Sequence, residues 1–193
     1  MSPPTSSQDD AASSAARTAR TRFAWLNVIG GVAVLGSYVV GLATHPESRG
    51  AVWGGVPESL QPLYTVCMFL AAGGYFLFTP YVFFTLDPGR VRVFGRFGFG
   101  AFSFLYAAIL IPSALWMPLT FRMVAEPDAS LWLAIRIVLL VVGLASVALI
   151  VALQTARPEG SKLRKVAALV GAAAFSFQTA VLDALVWPVY FPY

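Results

Sequence analysis

Asp183 lies inside an apolar run, in the C-terminal stretch "QTAVLDALVWPVYFPY". An ionised carboxylate is costly in such company, so it has a partner, stays protonated, or serves a ligand. Ser176, Thr179, Asp183 and Trp187 follow at spacings of three, four and four, which places them on one face of an α-helix. A second set, Ser103, Tyr106, Ser113 and Trp116, occupies related turns of an earlier apolar run, where Pro112 and Pro118 can bend a helix and open space beside it. Arg136 sits in a third run and is a candidate partner for Asp183. The chain has one histidine, His45, and one cysteine, Cys67, so it can form neither an intramolecular disulfide nor a thiolate cluster, and no metal site is expected. No nucleophile–base pair or phosphate-cradling loop is legible. The glycines of "GRFGFGAF" open an apolar run from a basic loop and are not a dinucleotide signature. The available chemistry is aromatic, apolar and hydrogen-bonding. It suits holding a flat or hydrophobic molecule better than catalysing a reaction.

These residues need elements to position them, and the composition names the medium. Of 193 residues, 58% are apolar and 11% charged, against about a quarter charged in a soluble domain. Five stretches are long and apolar enough to span a bilayer: residues 23–42, 63–85, 97–119, 131–155 and 166–187. Each connection between them holds proline, most hold glycine, and the charge lies almost wholly outside the spans. Only helices and closed barrels can span lipid, and these runs do not alternate, so the expected fold is an all-α bundle of five transmembrane helices over residues 20–193. Residues 1–19 have no large apolar side chain after Met1 and read as a disordered tail rather than a secretory signal.

Lysine and arginine set an expected orientation. Arg17, Arg20 and Arg22 flank the first span; Arg90, Arg92 and Arg96 lie in the second loop; Arg157, Lys162, Arg164 and Lys165 lie in or beside the fourth. The opposite side carries Arg49 and Arg122. The N-terminus is therefore expected in the cytoplasm and the C-terminus on the outer side. Arg136 enters the fourth span and Asp183 leaves the fifth at matching depth, roughly 6–8 Å inside the outer interface. They can form an ion pair; alternatively Arg136 reaches up to headgroups and Asp183 is protonated or near water. The long first outer loop contains Trp53, Gly54, Gly55, Pro57 and Pro62. It reads either as a connection with an interfacial tryptophan or as a lid over the bundle.

Several of these stretches resemble the tryptophan-rich sensory protein (TspO/MBR) family, which includes the mitochondrial translocator protein. "PLYTVCMFLAA" is similar to the start of the family's second helix and puts Tyr64 on its tyrosine. "FLYAAILIPSALWMPLTF" is similar to its third helix, with Trp116 and Pro118 matching, while the closing aromatic pair is altered. "VLDALVW" looks like the fifth helix of animal members, with Asp183 in place of asparagine and Trp187 on the tryptophan. The first loop keeps only Trp53, Pro57 and Pro62 of a denser pattern, and the C-terminal "WPVYFPY" has no basic residue after its tyrosine, so no sterol motif is present. The resemblance implies a homodimeric bundle with a pocket between the helices, beneath the first loop, for a tetrapyrrole or another flat hydrophobic molecule. It implies Tyr64, Trp116, Asp183 and Trp187 as pocket residues, with Trp53 from the loop. Trp116 and Trp187 would wall the ligand, and Asp183 would accept a hydrogen bond or face a cationic group.

Two other functions fit the same residues. The polar stripe could contact a helix of another protein, making the chain an accessory subunit of a membrane complex. Asp183 could instead serve proton-coupled transport or acid–base work on a lipid. The expected surroundings are a lipid bilayer and a hydrophobic small molecule. The modest net charge of +4 gives no expectation of nucleic acid.

Overall fold

The apolar runs fold as five long helices, each long and apolar enough to cross a bilayer, and together they make an all-α bundle. A computed structural model describes residues 6–157 and 161–192. The helices are α1 (Ser6–Thr44), α2 (Gln61–Pro80), α3 (Gly100–Ala125), α4 (Ala129–Thr155) and α5 (Lys162–Ser176). A wider helical turn, Tyr81–Thr85, prolongs α2, and a longer one, Phe177–Val186, prolongs α5 before a closing turn, Trp187–Tyr190. Outward-facing side chains on every helix are large and apolar, such as Ile29, Phe69, Phe104, Leu144 and Val170. An apolar surface of that extent needs lipid to cover it, and the chain is an integral membrane protein.

α1 starts at Ser6, so the stretch expected as a tail contributes helix from Ser6 onward; residues 1–5 lie outside the described residues. Alanine's high helix propensity suffices for this extension without a buried face. Arg20 fastens it by donating to the Leu86 carbonyl at 3.2 Å. At the start of α4, Asp128 accepts from the Ser130 hydroxyl, the Leu131 amide and the Ser130 amide. These bonds, the Ser130 hydroxyl first, hold its carboxyl below the usual carboxylate range.

α3 packs between α1 and α4, and α5 packs between α4 and α2. α1 and α2 are adjacent in sequence but are not packed along their length. One link between them is Tyr75, which donates to Asn27 Oδ1 at 2.5 Å. The tightest approach is between α2 and α5. A Cβ added at Gly74 would lie 2.3 Å from the Gly171 carbonyl oxygen, and one at Gly171 would lie 2.7 Å from that of Gly74. Helices in lipid gain their packing from such close backbone contact, because lipid tails are as apolar as leucine.

The interior divides into two layers. One holds phenylalanine and tyrosine: Phe23, Phe78, Phe102 and Tyr106 are fully buried there, with Phe23 and Tyr106 rings edge to face at 4.7 Å. This layer lies toward the end where the second and fourth loops meet, joined by paired backbone bonds between Arg92 and Arg157 at 2.7 and 2.9 Å. The other layer, toward the first loop, holds Tyr64, Met123, Ile135, Leu182, Trp187 and Phe191. Trp53, Trp116 and Trp132 pack against it.

Candidate functional site

The polar residues of the fifth span lie on a helix that changes pitch. From Phe177 to Val186 the backbone takes the wider π form, whose hydrogen bonds run from i to i+5. In an α-helix, residues five apart point about 140° away from each other. The wider turn brings Gln178 and Asp183 together, and Gln178 Nε2 donates to Asp183 Oδ1 at 2.7 Å. Gln178 is 5% exposed, and its amide oxygen is buried with no partner. The pitch change also divides the stripe expected from α-helical spacing. Thr179 Oγ1 meets Ser146 Oγ of α4 at 2.9 Å, Ser176 Oγ is buried and unpartnered, and Asp183 turns elsewhere.

Asp183 is half-buried and lies within electrostatic reach of the Tyr38 and Tyr64 hydroxyls. Tyr64 enters from the first turns of α2 and donates to the Leu182 carbonyl at 3.0 Å, fixing α2 against the π segment. Tyr38 comes from α1, and its ring lies 5.8 Å from that of Trp116 on α3. Trp116 Nε1 is a buried donor without a partner. Four segments thus contribute aromatic rings, a carboxylate with one oxygen bonded, and three buried polar atoms without a described partner, Ser176 Oγ, Gln178 Oε1 and Trp116 Nε1.

Trp187 is in contact with both Trp116 and Trp132. Ring centroids are 5.9 Å apart for Trp116–Trp187, 6.2 Å for Trp132–Trp187 and 4.7 Å for Trp187–Phe191. These are contact distances for aromatic pairs, so no flat molecule lies between the rings; their outer faces form the wall. The first loop closes over them. Its short helix, Pro46–Trp53, presents the Val52 carbonyl, which accepts from Trp187 Nε1 at 3.0 Å. Gly54 follows with φ +60°, and a Cβ there would lie 2.6 Å from the Trp187 indole. The glycine is needed for both the backbone turn and the indole's approach. Of the two readings of this loop, the lid is the one whose geometry is seen.

Arg136 and Asp183 engage different partners. Arg136 is exposed, with its guanidinium carbon 5.7 Å from the centre of the Trp132 ring, while Asp183 is bonded to Gln178. The long side chain of Arg136 can reach headgroup depth, as the second of the two sequence readings had it. In a double-variant cycle measured by thermal unfolding in detergent, Arg136→Ala and Asp183→Asn should act additively, within about 0.5 kcal/mol. A larger coupling would mean that the two charges do interact.

Of the residues expected at the site, Tyr64 lies within electrostatic reach of the half-buried Asp183, while Trp116, Trp187 and Trp53 belong with Tyr64 to the apolar cluster at this end of the bundle. Sequence reasoning missed Gln178 and Tyr38. Gln178 sits five residues before Asp183, off its face on a regular helix. Tyr38 sits on a span whose outward residues dominate its pattern. Two recesses lie nearby, and neither borders Asp183. A groove of about 620 Å³ runs between α1 and α3, lined by Gly36, Ser37, Gly41, His45, Phe121 and Arg122. A recess of about 240 Å³ lies at the lid, between Gly54, Gly55, Met123 and Phe191. No family model, curated protein or solved structure matches the chain.

Proposed function

We propose that the protein binds a hydrophobic, flat small molecule in a crevice between α1, α2 and the π segment, beneath the first loop, as a sensor or carrier resembling the TspO/MBR type. One observation carries the reading: Tyr38 and Tyr64 lie within electrostatic reach of a half-buried carboxylate, Tyr38 packs beside Trp116, and Gln178 Oε1 and Trp116 Nε1 are buried with no partner among the described residues. Unpaired buried polar groups cost about 1–3 kcal/mol each, and a ligand supplying their partners recovers that cost. The α1–α2 seam offers entry from the bilayer, since these two helices are not packed along their length. The first loop faces the outer side and the basic end faces the cytoplasm, following the arginine and lysine bias.

A titration of the purified protein in neutral detergent with an uncharged porphyrin, octaethylporphyrin, followed by tryptophan fluorescence, tests the reading. Quenching should saturate, and Trp116→Leu should weaken binding roughly tenfold through loss of one aromatic contact and one donor. Quenching that rises linearly without saturation would count against a pocket. A stoichiometric partner in a pulldown from native membranes, without saturable quenching, would favour the accessory-subunit reading.

A further inference from the structure

The unpaired atoms around Asp183 are unequal in kind, and their chemistry narrows the ligand. The π segment gives Asp183 one donor, Gln178 Nε2 at 2.7 Å on Oδ1. Its other oxygen accepts nothing from a described side chain. By giving its amide N–H to Asp183, Gln178 leaves its own carbonyl oxygen buried without a donor, in a residue only 5% exposed. The unmet groups of this segment and its neighbours therefore include two acceptor oxygens, the second carboxylate oxygen of Asp183 and Gln178 Oε1, together with one N–H donor, Trp116 Nε1, and the Ser176 hydroxyl, which can donate or accept.

Among the described residues, Asp183 has no ion pair with a lysine or arginine. Arg136 lies over Trp132 at the surface, Arg17, Arg20 and Arg22 lie in the N-terminal half of α1, and the remaining lysines and arginines lie in the loops or the helix ends beside them. His45 is stacked on Phe121 with ring centroids 4.4 Å apart, and its Nδ1 lies 3.1 Å from the Gly41 carbonyl oxygen. Tyr38 and Tyr64 lie within electrostatic reach of Asp183, with Trp116 beside Tyr38, and aromatic rings offer electron-rich faces to a positive charge.

We infer that the molecule bound in this crevice is a hydrophobic amine, a flat apolar body carrying a protonated nitrogen that donates to Asp183 and to Gln178 Oε1. This inference rests on the ligand-binding reading above and specifies its chemistry. An ammonium has several N–H donors, enough for both oxygens, and its charge offsets that of the carboxylate. An anionic ligand would meet the carboxylate with like charge and supply no donor. A neutral alcohol could satisfy one oxygen only.

Three probes with one anthracene frame separate the possibilities: aminomethyl-anthracene, hydroxymethyl-anthracene and anthracene carboxylate. Each is titrated against the intact wild-type protein in neutral detergent, with empty micelles as the blank. The ammonium should bind about tenfold tighter than the alcohol, the difference expected of a charge-assisted hydrogen bond. The carboxylate should bind weakest. Asp183→Asn should remove the preference while leaving alcohol binding in place, and Asp183→Glu should keep it. Saturable binding of all three probes with equal affinity, or with the carboxylate or alcohol tightest, overturns the amine while the pocket stands. Failure of all three probes to saturate overturns the pocket and the amine with it. The wild-type ranking decides the matter even where a variant fails to fold.

Discussion

Gly74→Val should cost the protein about 3 kcal/mol of stability or more, whereas Gly73→Val, one residue away, should be close to neutral. A Cβ at Gly74 falls 2.3 Å from the Gly171 carbonyl oxygen and 2.9 Å from its carbon, and nothing lies within 4 Å of a Cβ at Gly73. The obstructing atoms belong to backbone, so no rotamer change relieves the clash, and α2 and α5 must move apart. Overpacking usually costs about 1–3 kcal/mol, with larger values where the neighbours cannot yield. Separation would also strip the van der Waals contact that holds helices together in lipid. It would displace Tyr64, which anchors the π segment from α2 at 3.0 Å. Thermal unfolding in detergent should show a steep loss for Gly74→Val and for Gly171→Val, with Gly73→Val near the parent. Equal behaviour of the two α2 variants would mean that these helices do not approach as described.

The second large effect is expected at Trp187, which joins the lid to the bundle. Trp187→Ala removes ring contacts to Trp116, Trp132 and Phe191, together with the bond to the Val52 carbonyl. Truncating a buried tryptophan costs about 3–5 kcal/mol. Trp187→Phe isolates the hydrogen bond, at about 1 kcal/mol. Both should free the first loop, where Arg49 is a trypsin site in the helix Pro46–Trp53. Cleavage after Arg49 should accelerate in the order parent, Trp187→Phe, Trp187→Ala. A cleavage rate that does not change would show that the loop is held by something other than this indole.

Much of the fold was legible because lipid imposes a simple rule. A span must be about 20 apolar residues long and helical, and the five runs met that rule, with charged, proline-bearing connections between them. Trp116 and Trp187 were legible as aromatic residues near one end of their spans, and they do touch. Three features were not legible, for separate physical reasons. The π segment has no strong local signal, so α-helical spacing placed Ser176, Thr179, Asp183 and Trp187 on one face. The wider turn instead gave Asp183 to Gln178 and Thr179 to Ser146. The Arg136–Asp183 pair followed from depth alone, and depth does not say which way a side chain points around a helix. The order in which helices pack depends on fits such as Gly74 against Gly171, and a lone glycine in an apolar run does not name its partner.

The proposed ligand crevice beside Asp183 is most directly tested by photolabelling with a flat aromatic diazirine, followed by peptide mapping. Label competed away by excess unmodified ligand should fall on residues around Tyr38, Tyr64, Trp116 and Asp183, and Trp116→Leu should reduce it at all of them together. Label confined to lipid-facing side chains such as Phe69, Phe76 and Phe104, and unaffected by competitor, would contradict a binding site between the helices.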